Sequence, residues 1–248
     1  MLNNKVAIVT GASRGIGAAT ACLLAQHHAK VVVNYFSNAA AAQQVVEDIK
    51  KNGGKAIAIQ ADARNEEQMS SLVRDTLKHF GHIDILVSNA SISFPMTSFL
   101  DISWDELDRK VSDELKAAFV STKVVLPHMI QQNKGKLIFI SSGLSNFAQA
   151  GFVAHGIAKG ALNSFVRYIA HEMGPYQITA NVVSPGMVAT DATLHTPAEA
   201  KNQTAQMTPL GRIAQPEDIA KSVVMYASSY SDFITGAYVP VSGGMEMN

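Results

Sequence analysis

The sequence predicts an α/β chain: a doubly wound parallel sheet of about seven strands with helices on both faces. Two observations carry this. Short apolar runs alternate with longer stretches of helical periodicity from one end to the other, the pattern of strand–helix–strand units with right-handed crossovers. The runs are continuously apolar, as in Val6-Ala7-Ile8-Val9 and Val31-Val32-Val33, so both faces of each strand are covered. No Pro/Ser-rich stretch, low-complexity block or charge run interrupts the 248 residues. One domain spanning 1–248 is therefore expected.

Taken in order, residues 6–9 form a strand, and 16–28 a helix with Ile16, Ala19, Leu23 and Leu24 on one side. Strand 31–33, helix 41–51, strand 56–59 and helix 66–80 follow. Next come strand 83–87, a long helix over 104–131, strand 136–140 and a helix over 151–173. The chain closes with strand 178–183, helix 216–228 and a short strand 237–241. The stretch from Pro185 to Pro216 lacks a regular pattern and is rich in Thr, Ala, Gln and Met. It is longer than an ordinary connection, so a substrate loop or lid is expected at about 186–215.

Composition excludes several classes. Hydrophobic residues make up 47% and charged residues 16% of the chain, enough apolar matter for a full core. Twenty basic residues balance twenty acidic ones, which argues against nucleic acid or an anionic membrane as the main partner. The one cysteine, Cys22, rules out an intrachain disulfide and lies in an apolar helical run, where core packing is its expected use. No apolar signal or membrane-length segment is evident, so a cytoplasmic location is expected. His27, His28, His128, His171 and His195 form no metal-ligand grouping, and no metal is expected.

Between the first strand and its helix lies Thr10-Gly11-Ala12-Ser13-Arg14-Gly15-Ile16-Gly17. In a Rossmann-type turn of this kind Gly11 allows the tight bend, Gly15 the close backbone approach, and Gly17 the packing of helix on strand. The helix-start amides around Ser13 and Ile16 then face a pyrophosphate. The second strand leads into Asn34-Tyr35-Phe36-Ser37-Asn38, with no carboxylate to hold the ribose hydroxyls of NAD. Asn34 does not repel a 2′-phosphate, Ser37 and Asn38 offer donors, and Arg14 offers a guanidinium suited to phosphate. NADP(H) is thus preferred over NAD(H), with Arg14 as a merely solvated charge the competing account. Asp62 and Ala63 follow the third strand, where Asp62 either accepts from the adenine amino group or caps the next helix. Asn89 and Ala90 follow the fourth and are placed to line the adenosine ribose.

These residues resemble the classical short-chain dehydrogenase/reductase superfamily, close to the bacterial 3-oxoacyl carrier-protein reductases and related enoyl reductases. The resemblance spans essentially the whole chain. It rests on the glycine motif, Ser88-Asn89-Ala90-Ser91, Ile140-Ser141-Ser142, Ala158-Lys159, Pro185-Gly186-Met187-Val188-Ala189-Thr190 and Val241-Ser242-Gly243-Gly244-Met245. It implies that Ser142 steadies the substrate oxygen and that Lys159 binds the nicotinamide ribose. It further implies that Pro185, Gly186 and Val188 sit beside the nicotinamide and that Thr190 contacts its carboxamide or the nearby phosphate. A homotetramer or homodimer is implied as well, with small residues at Gly236-Ala237 permitting close packing.

The departures concern the proton. The family's tyrosine belongs four residues before the lysine, where this chain has His155, and related enoyl reductases place it seven before, where this chain has Phe152. The asparagine of the long fourth helix is matched by Glu114. Read from spacing alone, Phe152, His155 and Lys159 are three and four apart and share a helix face. Ser142 ends a strand, where open sheets place ligand-binding groups. An imidazole titrating near neutrality is a chemically credible acid at His155, a spacer histidine being the alternative. Phe152, Ser91, Met187 and Met207 are expected to line the substrate pocket, which Met96 and Met245 could extend.

Two functions follow as expectations. The first is NADPH-dependent reduction of a carbonyl or activated C=C bond in a mostly apolar acyl, polyketide-like or aromatic substrate. The second is a redox-inactive protein of the same fold, because the tyrosine and the helix asparagine are both replaced.

Overall fold

The computed structural model describes residues 1–247. Its seven strands are β1 (Val6–Val9), β2 (Lys30–Tyr35), β3 (Lys55–Gln60), β4 (Ile85–Ser88), β5 (Gly135–Ile140), β6 (Ile178–Pro185) and β7 (Tyr238–Val241). All pair in parallel in the order β3-β2-β1-β4-β5-β6-β7. The chain winds outward from β1 in one direction and from β4 in the other. The crevice beyond the carboxyl ends of these two strands is where such a sheet binds ligands.

The helices are α1 (Gly15–Gln26), α2 (Ala39–Lys51), α3 (Glu66–Phe80), α4 (Trp104–Gln132), α5 (Val153–Met173), α6 (Ala198–Met207) and α7 (Pro216–Ala227). One face of the sheet is covered by α1, α2 and α7 through Leu24, Val46, Ile49 and Val223. The other is covered by α3, α4 and α5 through Leu72, Val120, Met129 and Leu162. The two-sided burial expected from the apolar runs is complete in β1, β4, β5 and β6, where every residue is buried.

Local chemistry sets the boundaries. Ser103 and Glu106 form a capping box that starts α4, which ends at Asn133 in the left-handed region (φ 50°). For α3 the cap is Asn65, whose side chain accepts from the Gln68 amide, so the capping alternative for Asp62 is not realised. Glu66 and Glu67 open α3, Lys78 and His79 lie in its last turn, and Gly81 closes it at φ 88°. Two other expectations change. The helix expected from 151 starts at Val153, because Gly151 at φ 84° and Phe152 at the cap position are not helical. The segment 186–215 is not irregular throughout: it holds a short turn at Asp191–Thr193 and then α6. No residue of α6 is buried, so no apolar stripe marked it in the sequence.

Candidate active site

The turn between β1 and α1 is shaped for close backbone approach. Gly11 has φ +61°, and a Cβ there would lie 2.9 Å from the Ala90 Cα. A Cβ on Gly17 would lie 2.5 Å from the Gly11 carbonyl. Asn89 pins this turn by donating from Nδ2 to the carbonyls of Thr10 (2.9 Å) and Gly11 (3.1 Å). Unlike α2, α3 and α4, helix α1 carries no side-chain cap. The first-turn amides of Gly15, Ile16 and Gly17 therefore lack intrahelical partners and suit an anion. Thr190 lies across the turn, its Cγ2 3.4 Å from where a Gly15 Cβ would sit. Ser13 is half-buried and Arg14 exposed at the same place. These residues fit the pyrophosphate of a dinucleotide.

At the ends of β2 and β3, where an adenosine is expected, the side chains are deployed differently from the expectation. Asn34 is 1% exposed. Its Oδ1 accepts from the Gly11 amide (3.2 Å) and its Nδ2 donates to the carbonyls of Ala61 (3.0 Å) and Ile59 (3.3 Å). It ties the glycine turn to β2 and β3 and is not available to a 2′-phosphate. Asn38 caps α2, while Phe36 and Ser37 remain exposed at the end of β2. Asp62 accepts from Arg64 Nε (3.0 Å) and Nη2 (2.8 Å), and Arg64 Nη1 also reaches Asp113 of α4 (2.6 Å). Hydrogen bonding from Arg64 holds the Asp62 carboxyl below its ordinary range. Ala63 is buried beside it.

The strands β4 and β5 and the helices α4 and α5 bring together a buried charge cluster. Glu114 (3% exposed) stands between two ammonium groups, with Lys159 Nζ 2.6 Å from Oε1 and Lys110 Nζ 2.6 Å from Oε2. The Ile92 amide also donates to Oε2 (2.9 Å), and Ser91 Oγ lies 3.3 Å from it. Lys159 donates in addition to the Ile140 carbonyl (2.8 Å). Burial pushes the Glu114 carboxyl up, but Lys159, Lys110 and the Ile92 amide outweigh it and bring it down to about 2. Ser142 Oγ accepts from the Leu144 amide (3.3 Å), which leaves its O–H free to donate.

His155 lies against this cluster. Its ring stacks on Phe94 (centroids 4.6 Å apart, 18° between planes), and Phe152 tilts against the same Phe94 at 6.0 Å. The His155 Nδ1 is buried without a hydrogen-bond partner among the described residues. Burial first, and then the charges of Lys159 and Lys110, lower its pKa to about 3. The near-neutral titration expected of this imidazole is thus corrected: the ring is uncharged at physiological pH. Pro185 is the buried last residue of β6, Gly186 and Met187 are half-buried just past it, Val188 is buried, and Met207 is exposed at the end of α6. Among the described residues no His, Cys, Asp or Glu group could hold a metal ion.

Sequence reasoning passed over Lys110 and Phe94. Lys110 followed four residues later by Glu114 reads as an ordinary solvated helix pair, and only the packing of α5 and of residues 91–94 reveals that it is buried. Phe94 lies in a stretch without periodicity.

A direction-reversing parallel sheet, a cap-free glycine turn at its switch point and a lysine fixed at the neighbouring strand ends define a Rossmann-type nucleotide-binding oxidoreductase. Comparison with known proteins gives the family. Residues 11–246 match the family model described as enoyl-(acyl carrier protein) reductase. The chain is 38% identical over 247 residues to a 3-oxoacyl-[acyl-carrier-protein] reductase of Synechocystis sp., covering 99% of this chain and 98% of that one. It is 37% identical to versicolorin reductase 1 of Aspergillus parasiticus, covering 98% and 97%. Among solved structures, a mutant of a Serratia marcescens short-chain dehydrogenase/reductase superposes with TM-score 0.91 at 33% identity over 99% of both chains. LugOII, a promiscuous reductase catalysing keto-reduction at C1 during lugdunomycin biosynthesis, superposes with TM-score 0.92 at 34% identity over 99% of both. The chain belongs to the short-chain dehydrogenase/reductase family of NAD(P)H-dependent oxidoreductases.

Proposed function

We propose that the protein uses NADP(H), in preference to NAD(H), to reduce a carbonyl or an activated carbon–carbon double bond in a mostly apolar substrate of acyl, polyketide-like or aromatic type. The observation that carries this reading is the convergence of the glycine turn, Lys159 and the free Ser142 hydroxyl at the carboxyl ends of the central strands. The relatives named as 3-oxoacyl and versicolorin reductases support the substrate class. Bound NADPH supplies the hydride.

The chain's own residues do the rest. Gly11, Ser13, Gly15, Ile16 and Gly17 cradle the pyrophosphate, Asp62, Ala63, Asn89 and Ala90 line the adenosine, and Pro185, Gly186, Val188 and Thr190 flank the nicotinamide. Lys159 spends two of its three N–H donors on Glu114 and Ile140, and the third serves a ribose hydroxyl. Ser142 donates to the oxygen on which charge develops. His155 presents a neutral imidazole with an unsatisfied Nδ1, which positions that oxygen by a hydrogen bond rather than by releasing a proton as an acid. Phe152, Ser91, Met187 and Met207 line the substrate side, and residues 186–215 close over it. Preference for the 2′-phosphate rests on Arg14, Ser37 and the absence of any carboxylate in residues 34–38. Assembly as a homotetramer or homodimer belongs to the same reading.

A second reading, a redox-inactive member of the fold, is favoured by one observation: His155 is buried beside the Lys159 and Lys110 ammonium groups, which keep its imidazole from taking up the proton an acid would deliver. Loss of a general acid costs roughly 10²–10⁴-fold in rate, which slows turnover without abolishing it. Following NADPH oxidation at 340 nm with 3-oxoacyl, enoyl and quinone substrates separates the two. Turnover of at least one class is expected. Protein that binds NADPH yet oxidises it with none of them fits the second reading.

A further inference from the structure

Among the described residues, Lys110 is the one large charged side chain in the most deeply buried group, at 1% exposure. Removing an ammonium from water is unfavourable unless its donors are all satisfied, and here they are. Nζ donates to Glu114 Oε2 (2.6 Å) and to the Ile92 carbonyl (2.6 Å), with Ser91 Oγ at 3.4 Å. It also lies 5.0 Å from the centre of the Phe94 ring, within cation–π range. Glu114 completes the arrangement from the other side, since its Oε2 accepts the Ile92 amide. Both polar groups of the Ile92 backbone are thus taken up by α4, one by each member of the pair.

This geometry links two parts of the site that share no covalent neighbourhood. One is Lys159, held through Glu114 Oε1. The other is the segment after β4, which has no regular structure of its own and carries Phe94 onto His155. We propose that Lys110 is a positioning residue for both: it keeps Glu114 ionised and turned toward Lys159, and it anchors residues 91–94 so that Phe94 covers His155. The role in catalysis rests on the cofactor reading given above, whereas the anchoring does not.

The groups facing Glu114 are Lys110 on its own helix, Lys159 and His155 on α5, and Ser91 and the Ile92 amide after β4. Without the Lys110 charge, burial regains weight against Lys159 and the Ile92 amide, and the carboxyl becomes easier to protonate. The test uses full-length Lys110→Met, Lys110→Gln, which keeps an amide donor for Ile92, and the double variant Lys110→Met/Glu114→Gln. In ligand-free protein, the Glu114 carboxyl is titrated by 13C NMR, with Glu114→Gln identifying its resonance. Its midpoint is expected to rise from about 2 to above about 5 in either single variant, at least about a thousandfold in proton concentration. NADP+ affinity is then measured at pH 5 and pH 8. The ratio is expected to stay near one in the wild type and the double variant, and to reach several-fold weaker binding at pH 5 in the single variants.

An unchanged Glu114 titration in a folded single variant overturns the proposal, as does a pH ratio that matches the wild type while NADP+ still binds. A role confined to packing lowers the melting temperature without moving either quantity. If NADP+ binds none of the proteins, the cofactor reading fails and the carboxyl titration still decides whether Lys110 keeps Glu114 ionised.

Discussion

His155 occupies a position whose neighbours decide its chemistry. Desolvation and two nearby ammonium groups outweigh the attraction of Glu114 and depress its pKa from 6.5 to about 3. The unfolded chain therefore binds this proton more readily than the folded one, and stability falls as pH drops below 6.5. Glu114 acts in the same direction lower down, where its stabilisation is present above its unfolded value of 4.5 and lost as pH falls toward 2. Between pH 6.5 and 4.5 the His155 share is on the order of 2–3 kcal/mol. Thermal melts of the wild type and His155→Phe across this window are expected to differ in slope as pH falls, the variant losing less. Parallel melting curves at both ends would show that the ring is not held neutral.

Asn34 shows the same dependence on surroundings. Its place at the end of β2 suggested a ligand contact, yet its amide is spent between the glycine turn and β3. Asn34→Asp turns a donor facing two carbonyls into a buried charge. A loss of about 3 kcal/mol or more is expected, read as a lower denaturant midpoint. A stable variant with cofactor preference reversed toward NADH would return Asn34 to the ligand site.

At the scale of elements, all seven strands and six of the seven helices were legible, because continuous apolar runs and 3.6-residue periodicity survive any tertiary context. Helix α6 was not, since nothing in it is buried. The glycine turn was legible because it follows a strand and opens a helix, and its steric reason is now visible at Gly11 and Ala90. The Lys110–Glu114–Lys159 cluster was only half legible. Glu114 stood out by its motif position, whereas Lys110 needed the packing of α4 on α5 to become more than a surface lysine. Gly11→Ala adds a Cβ at 2.9 Å from backbone in a left-handed conformation. At least tenfold weaker NADPH binding is expected, measured by fluorescence titration of folded protein. Unaltered affinity would mean that the turn does not approach the ligand.

For the whole molecule, the two helical layers fix the sheet and leave the ends of β1, β4 and β5 to meet residues 91–94, α5 and the segment after β6. The functional account depends on that edge accepting a dinucleotide. Helix α1 contributes amides without a side-chain cap, Asn89 holds the turn, and Lys159 waits two strands away with one donor uncommitted. Isothermal titration of NADPH and NADH into the full-length protein tests this directly. Saturable binding of one NADPH per chain is expected, about tenfold or more tighter than NADH. No heat and no uptake of either nucleotide by protein whose circular dichroism shows it folded would contradict the account.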